Sequence, residues 1–290
     1  MKQISGTAYA KINLYLSVRG LRADGYHELE TVFQTVELCD LVAASLHRQG
    51  GISLRCSLPY LPTDERNLAV KAAELFFRET GLENPGLNPN IKKNIPVGAG
   101  LAGGSTDAAC VLRLLNRLFG MPLSEERMAN AALTLGADVP FCLRGGTALA
   151  GGVGEKLRPL PPMPECAMVI VKPGFSVSTK AAFALYDQTG GTESGQSAPL
   201  LAALADGDLT GVCRSLHNGL EGPVAEQFPR IGQLREQLLS LGAMGARMTG
   251  SGSAVYGIFD EQERASRAAE ALRGKLRFIT VTRPLPGLRE

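Results

Sequence analysis

The chain lacks several features that would assign it to a class at once. Its 290 residues contain no tryptophan and only three histidines, and its cysteines show no CxxC spacing. A zinc or other metal hydrolase needs closely spaced His, Asp or Glu ligands, so this class is disfavoured. No apolar run reaches membrane-spanning length, and the N-terminus lacks the basic, apolar and small-residue order of a secretory signal. We therefore expect a cytoplasmic protein.

An excess of charge of one sign is also missing. Lysine and arginine total 30 against 28 acidic residues, and the net charge of +2 comes from both signs interspersed. Such a balance gives no electrostatic reason for binding nucleic acid or a membrane surface. We expect neither partner, and instead a monomer or weak homodimer that acts on a small molecule. The six scattered cysteines are expected to be reduced thiols.

What is present suits a globular protein of two domains. Hydrophobic residues make up 44% of the chain, enough to bury a sizeable core. Four prolines fall in the six residues 159–164, a composition typical of a domain junction. We expect an N-terminal domain over residues 1–158 and a C-terminal domain over residues 159–290.

The most distinctive stretch is a glycine-rich loop that continues directly into an apolar-periodic helix. Four glycines fall within residues 98–104, so the backbone can curl and bring its amides close to an anion. We expect Ser105, Thr106 and Asp107 to cap the helix, whose first amides lack partners. We interpret the loop as a phosphate cradle, with a glycine-rich turn capping a core helix as the alternative.

Two familiar nucleotide loops do not match this stretch. A Walker loop places Lys directly after its last Gly, whereas Gly104 is followed by Ser105. Residues 98–103 do match the dinucleotide pattern GxGxxG, which also needs an acidic residue about twenty residues later at a strand end. The candidates Glu125 and Glu126 instead begin a predicted helix. An oxidoreductase is therefore only the third choice.

A strand near the N-terminus carries the next candidates. Residues 7–18 alternate between apolar and polar side chains, which predicts a half-buried strand. Lys11 and Asn13 share its polar face, where a cation and an amide can both reach a ligand. On the pattern alone, a solvated lysine on an exposed face is the favoured interpretation.

Two short stretches add further candidate side chains. Residues 24–25, Asp-Gly, predict a turn, and Tyr26 and His27 after it suit a flat heterocycle by stacking and hydrogen bonding. Exposed aromatic residues at turns are ordinary, so this pair is weak evidence alone. Asp138 stands among small and apolar neighbours in residues 136–141 and is expected to be partly buried, which for Asp indicates pairing or use.

A second loop of glycines and hydroxyls, residues 248–253, precedes a predicted strand over residues 254–259. Its amides could face the first loop, although a tight turn at a strand entry is equally consistent. Together with the cradle, the lysine and the aspartate, this inventory is typical of phosphoryl transfer, in which positioning and charge stabilisation do most of the work. Periodicity predicts helices over residues 67–77, 108–119, 125–135 and 261–273.

Three of these stretches resemble motifs of the GHMP kinase superfamily of small-molecule kinases. Residues 10–14 are similar to its first motif, residues 96–109 to its signature phosphate loop and residues 248–259 to its third motif. Residues 23–27 and 136–141 are similar to the branch whose substrate is a cytidine diphosphate conjugate of methylerythritol. The resemblance covers essentially the whole chain. It implies an α+β fold with an N-terminal nucleotide-binding domain, a ferredoxin-like C-terminal substrate domain and the active site in the cleft between them.

The resemblance also implies a reaction and its residues. That branch phosphorylates the 2-hydroxyl of its substrate with ATP and Mg²⁺, in the non-mevalonate isoprenoid pathway. Asp138 would take the hydroxyl proton, and Lys11 would keep this carboxylate ionised and stabilise developing negative charge. The ATP phosphates would be wrapped by Pro96, Val97, Gly98, Ala99, Gly100, Leu101, Ala102, Gly103, Gly104, Ser105 and Thr106. The substrate would be held by Asn13, Tyr26, His27, Lys93, Thr179 and Phe183, with cytosine between Tyr26 and Phe183.

Two positions depart from the superfamily pattern. Ala102 stands where Gly is usual, and Thr106 stands where a second Ser is usual. Both changes could adjust ATP affinity without altering the assignment. The alternatives are another kinase of the superfamily, of the homoserine or mevalonate type, and a non-catalytic nucleotide-binding protein.

Overall fold

A computed structural model describes residues 3–47, 49–189 and 195–289, and its strands form two sheets. The first sheet has the order β3-β4-β2-β1-β8, with β5 attached to β2 and β6 to β5. The 20-residue β2 pairs with β4 along one half and with β5 along the other. The strands of this sheet are β1 Gln3–Leu21, β2 His27–Leu46, β3 Arg55–Cys56, β4 Leu87–Lys92, β5 Thr147–Gly151, β6 Lys156–Pro159 and β8 His217–Asn218.

The second sheet is antiparallel and has the order β11-β7-β10-β9. Helices connect β7 to β9 and β10 to β11, which gives the β-α-β-β-α-β pattern of a ferredoxin-like unit. The expected α+β fold with a ferredoxin-like second part is therefore confirmed. The strands of this sheet are β7 Ala167–Lys172, β9 Gly245–Met248, β10 Val255–Phe259 and β11 Phe278–Thr282.

The predicted helices form where apolar periodicity meets a suitable start and stop. Asn67 caps the first helix by accepting a hydrogen bond from the Ala69 amide, and Gly81 ends it in the left-handed conformation. Ser124 caps the third in the same way. The helices are α1 Leu68–Thr80, α2 Gly103–Leu118, α3 Glu125–Ala132, α4 Val139–Arg144, α5 Thr179–Gln188, α6 Ala198–Asp206, α7 Leu209–Arg214, α8 Glu221–Gln227, α9 Arg230–Ser240 and α10 Gln262–Leu272.

The prediction of a half-buried first strand is wrong, because β1 is buried on both faces along its central part. Ala8 packs in the core beneath α1 and α2, whereas Ile12 and Leu14 pack in a second core between the two sheets. The polar face is covered as well: Lys11 is 4% and Asn13 1% exposed. The solvated lysine favoured by the pattern is therefore excluded.

The start of α2 also differs from expectation. The helix begins at Gly103, one residue after Ala102, which takes the left-handed conformation with φ of 57°. Ser105 and Thr106 consequently lie inside the first turn and Asp107 just after it, and no side chain caps the helix. The first backbone amides of α2 therefore have no side-chain acceptor.

The two parts of the chain are joined more closely than a single junction implies. β8 pairs with β1, and residues 283–285 return to β2, where the Leu285 amide donates to Thr35 O at 2.9 Å. The division between residues 158 and 159 stays a prediction; it falls inside β6, one residue before this last strand segment of the first sheet ends and well before β7 of the second sheet begins. Among the described helices, none combines the length and apolar character that crossing a membrane requires.

We predict that Leu115→Ala destabilises the protein by about 2–5 kcal/mol, since deleting buried methyl groups leaves a cavity. Leu115 on α2 is 0% exposed in the core beneath the first sheet. The free energy of unfolding in urea measures the effect. Leu82→Ala, at a residue that is 39% exposed, is the matched control and should cost less than about 0.5 kcal/mol. Equal losses in the two variants would contradict this description of the core.

Candidate active site

A cavity of about 1110 Å³ opens between the two parts of the chain. It is lined by the glycine-rich loop on one side, by the start of α5 on the other, and by β1 and β2 at its floor. The predicted site residues converge here: its lining includes Lys11, Asn13, Tyr26, His27, Lys93, residues 96–105, Asp138, Thr179 and Phe183. Thr106 is the exception.

The floor of the cavity is built by irregularities in the pairing of β1 with β2. The register shifts between Tyr9 and Lys11 and again between Asn13 and Tyr15. The Lys11 amide donates to Leu101 O at 3.3 Å, and the Asn13 amide donates to Thr249 Oγ1 at 3.1 Å. The bulged strand thereby binds both glycine loops directly, a use typical of bulges next to functional sites.

Lys11 is held in this floor by neutral partners. Its Nζ donates to Asn13 Oδ1 at 2.9 Å and lies 5.1 Å from the centre of the Phe33 ring. Asn13 in turn donates from Nδ2 to Thr31 Oγ1 at 2.8 Å. Because an amide oxygen and an aromatic face carry no negative charge, these two contacts do not neutralise the ammonium.

Asp138 supplies the carboxylate nearest to that ammonium, with Oδ2 3.8 Å from Lys11 Nζ. It immediately precedes α4, yet its side chain does not cap the helix. Its side chain is 35% exposed, whereas that of Lys11 is 6% exposed. The carboxylate therefore faces the open cavity from a fixed backbone position, which is the placement that a group accepting a proton from a ligand needs.

The glycine-rich loop presents unpaired backbone amides to the cavity. Gly98 and Gly100 take positive φ angles of 61° and 73°, which a residue with a Cβ adopts only with strain. Among the described residues, none of the amides of residues 98–105 donates to a backbone carbonyl. With the open N-terminus of α2 behind them, these amides suit a polyphosphate. Ala102 keeps the left-handed conformation despite its methyl group, which explains why Gly suits this position.

The second loop locks the first from the other side of the cleft. A Cβ at Gly100 would overlap the carbonyl oxygen of Thr249, so only glycine allows this approach. Thr249 also donates from Oγ1 to Gly100 O at 3.2 Å. Asn218 in β8 donates to Met248 O and Gly250 O, at 2.8 and 2.9 Å, and so holds the backbone on both sides of Thr249.

Lys93 is placed beneath the loop, and its contacts argue against the expected role as a substrate ligand. Its Nζ donates to Asp40 Oδ2, to Asp107 Oδ2 at 2.6 Å and to Gly103 O at 3.3 Å. An ammonium has three N–H donors, so these three acceptors use them all. Lys93 thus ties the first turn of α2 to β2, and the side chain is only 4% exposed.

Thr106 likewise lies outside the cavity. It is 2% exposed, and its Oγ1 donates to Tyr9 O at 2.5 Å. The hydroxyl therefore fixes α2 against β1 and is not available to a phosphate. Ser105, one residue earlier, lines the cavity and is the hydroxyl that remains for a ligand.

Aromatic side chains form one end of the cavity. His27 and Phe183 are stacked with ring centres 4.7 Å apart and planes inclined by 19°. Tyr26 is 66% exposed at the same end. Thr179, the first residue of α5, lies 3.3 Å from Ser251 through the two hydroxyl oxygens. The lining also includes the apolar residues Leu61, Pro62 and Leu68, the last of which lies beside Gly104 of the glycine-rich loop.

Sequence reasoning missed several residues of this site. Asp40 is 0% exposed, and its Oδ1 accepts from the Ile95 amide at 2.8 Å. An aspartate among apolar neighbours is the sequence signal that indicated Asp138. The same signal would have identified Asp40. Thr31 and Asn218 carried no such signal, because their partners lie far away in sequence.

No cluster of three or more His, Cys, Asp or Glu side chains that could hold a metal ion occurs in the part of the chain that the structure describes. All six cysteines are free thiols, as expected.

We predict a pH-dependent contribution to stability from Asp107. Burial raises the pKa of its carboxyl to about 7, with Asp40 reinforcing and Lys93 opposing the shift. From pH about 4 to about 7 the folded state holds a proton that the unfolded state has released. This contribution is therefore present below pH about 4 and is lost as the pH rises through about 7.

In Asp107→Asn this loss should disappear. Between pH 4 and 8 the unfolding free energy of the wild type should fall relative to that of the variant. Urea titrations at several pH values measure the difference. The exposed control variant Asp206→Asn should follow the wild type. Parallel profiles for wild type and Asp107→Asn would contradict the prediction.

Comparisons with family models agree with the geometry. The model described as the GHMP kinases N terminal domain matches residues 67–146, which include α1, α2 and Asp138. The model described as GHMP kinases C terminal matches residues 200–277, which include the second glycine loop.

Whole-chain relatives are also found. A curated protein of Clostridium botulinum (strain Alaska E43 / Type E3), 4-diphosphocytidyl-2-C-methyl-D-erythritol kinase, is 41% identical over 278 residues, covering 96% of this chain and 99% of the relative. A crystal structure of 4-(cytidine 5′-diphospho)-2C-methyl-D-erythritol kinase is similar with a TM-score of 0.82 and 38% identity, covering 97% and 99% of the two chains.

A crystal structure of homoserine kinase from Cytophaga hutchinsonii is similar with a TM-score of 0.74 and 21% identity, covering 98% of this chain and 96% of that one. At this identity the likeness concerns the fold alone. The curated relative, by contrast, is similar in sequence along nearly the whole chain. The chain belongs to the GHMP kinase family.

Proposed function

We propose that this chain transfers the γ-phosphate of ATP to the 2-hydroxyl of 4-diphosphocytidyl-2-C-methyl-D-erythritol, a step of the non-mevalonate isoprenoid pathway. The observation that carries the proposal is the pairing of Lys11 with Asp138 opposite a loop of unpaired amides. The curated relative and the crystal structure described above carry the name of this kinase.

In the proposed reaction Asp138 accepts the proton of the attacking hydroxyl. Its carboxylate lies at the open side of the cavity and caps no helix, so it is available to a ligand. Lys11, 3.8 Å away, stabilises the carboxylate and the negative charge that develops on the transferred group. Asn13 and Phe33 keep the ammonium in place without neutralising it.

The triphosphate would lie along residues 97–105, because their amides are unpaired and the N-terminus of α2 adds positive potential. The base of ATP would then extend toward the apolar lining residues Leu61, Pro62 and Leu68. This direction leaves the aromatic end of the cavity to the second substrate.

Mg²⁺ fits this site as an ion carried by the nucleotide. Mg²⁺ is usually bound by substrate phosphates, waters and one or two protein oxygens. The Ser105 hydroxyl and the Asp138 carboxylate line the cavity and would supply such protein oxygens. When bound, the ion supplies charge neutralisation for the transferred phosphate.

The cytidine headgroup would occupy the aromatic end of the cavity. A base that hydrogen-bonds to the edge of His27 would lie in the plane of the imidazole. It would therefore pack against the face of Phe183 that the imidazole already contacts. Tyr26 could cover the opposite face of the base. The remaining proposed substrate ligands are Asn13 and Thr179, whereas Lys93 supports the loop.

The other candidate functions have less support. Kinases of the homoserine or mevalonate type share the fold, but the Tyr26–His27 turn and its stacked Phe183 suit a flat heterocycle rather than a small aliphatic alcohol. A nucleotide-binding protein without turnover has no need of the Lys11–Asp138 pair. The free cysteines fit our proposal of a reducing, cytoplasmic location.

We predict that Asp138→Asn lowers kcat by about 10²–10⁴, or roughly 3–5 kcal/mol, because the base is lost while the shape is kept. Steady-state kinetics with the diphosphocytidyl substrate test this, and calorimetry should show that both substrates still bind. The control Asp206→Asn removes one exposed carboxylate from the end of α6 and should keep normal activity. Near-normal turnover by a folded Asp138→Asn protein would refute the role of Asp138 as base.

We predict that wild type phosphorylates the diphosphocytidyl compound, scarcely uses its uridine analogue, and ignores mevalonate, homoserine and galactose. Phe183→Ala should weaken binding of the diphosphocytidyl compound by roughly ten- to a hundredfold, because stacking on a base is worth about 1–3 kcal/mol. ATP affinity should hardly change. Tyr60→Ala, at an aromatic residue that is 70% exposed, is the control.

Efficient turnover of mevalonate, homoserine or galactose, with the cytidine compound inert, would refute the proposed substrate and leave the assignment to a small-molecule kinase standing. A phosphoryl-transfer assay across this panel of alcohols, with labelled ATP, separates the two conclusions.

A further inference from the structure

The imidazole of His27 is constrained on several sides by α5. Phe183 stacks on one face, and the edge contact with Tyr186 has ring centres 6.3 Å apart and planes at 89°. Nε2 lies 2.8 Å from Oδ1 of Asp187. The His27 side chain is 10% exposed, and the residue lines the aromatic end of the cavity. The ring therefore has one orientation.

The contact with Asp187 decides which ring nitrogen carries the proton. A carboxylate only accepts hydrogen bonds, so Nε2 must be the N–H donor. In the neutral imidazole, Nδ1 is then a bare acceptor. Among the described residues, none bonds to Nδ1, although nearly all of the side chain is buried. The pair thus leaves one hydrogen-bond acceptor of the ring for a ligand.

Such an acceptor distinguishes the two pyrimidines at their 4-position. Cytosine carries an amino group there, which donates, whereas uracil carries a carbonyl, which accepts. A carbonyl placed against the Nδ1 lone pair would leave two acceptors facing each other in a buried setting, and unpaired buried acceptors are costly. Site groups that pair with one polar substituent reject the analogue that lacks it.

We propose that Asp187 is a specificity-determining positioning residue: by accepting from Nε2–H of His27, it presents Nδ1 as the acceptor for the 4-amino group of the cytidine substrate. This inference rests on the proposed function, since it concerns the base of that substrate. Asp187 itself is 54% exposed near the end of α5 and acts through His27.

The tautomer can be measured directly. In ¹⁵N-labelled protein at pH about 8, where free imidazole is neutral, long-range ¹H–¹⁵N spectra distinguish the two ring nitrogens. The chain has only three histidines, and His27→Gln identifies the signal of His27. Wild type should show the proton on Nε2. Asp187→Asn should show a mixture of tautomers, because an amide can either accept from or donate to Nε2.

Specificity is then measured as the ratio of dissociation constants for the uridine analogue and the diphosphocytidyl compound, by calorimetry without ATP. Asp187→Asn should reduce this ratio about tenfold, the size expected when one hydrogen bond loses its direction. Asp187→Glu keeps a carboxylate and should restore much of the ratio. Asp206→Asn, which removes an exposed carboxylate elsewhere, should match wild type. ATP affinity should be equal in all of them.

The outcomes separate the inference from the function on which it rests. If wild type fails to bind or phosphorylate the cytidine compound, the proposed function and this inference both fail. If wild type prefers the cytidine compound but Asp187→Asn weakens both compounds equally, Asp187 only orders the ring and the inference alone is overturned. A wild-type His27 with its proton on Nδ1 overturns it as well.

Discussion

Two backbone amides of β1 hold the active site together. Register shifts on either side of residues 11–13 free these amides for partners outside the sheet, and they bond to Leu101 of the first glycine loop and Thr249 of the second. The intervening side chains, Lys11 and Asn13, emerge where the loops meet. The bulged strand therefore sets the distance between the proposed phosphate site and the base that would act beside it.

The site also depends on two lysines that lie in different environments and have different roles. Lys93 is enclosed by two carboxylates and a carbonyl, so its charge is used to fix α2 beneath the loop. Lys11 has an amide oxygen and an aromatic face as neighbours, with Asp138 at the longer distance of 3.8 Å. A cation whose anionic neighbour is itself open to the cavity is the one suited to binding a ligand.

At the other end of the cavity, recognition is proposed to depend on one edge of an imidazole. Three residues of α5 contact the His27 ring: Phe183 stacks on one face, Tyr186 makes an edge contact, and Asp187 is proposed to hold the proton on Nε2. The helix that would define the substrate therefore belongs to the second part of the chain, whereas the phosphate loop belongs to the first. Chemistry and specificity meet only because the two sheets pack together through residues such as Ile12 and Tyr256.

Local signals of the sequence determined much of this protein. Glycine spacing indicated the phosphate loop, apolar periodicity predicted the helices seen as α1, α2, α3 and α10, and an Asp in an apolar setting indicated Asp138. These features depend on neighbours within a few residues, and a pattern can report them.

Only the tertiary structure decided the burial of β1, the enclosure of Lys93 and the place of Thr106. A two-residue period shows which side chains share a face, but whether a second layer covers that face depends on residues more than 200 positions away, such as Thr249. The same holds for Asp40 and Asp107, whose shared lysine is identified only when β2 and α2 are brought together.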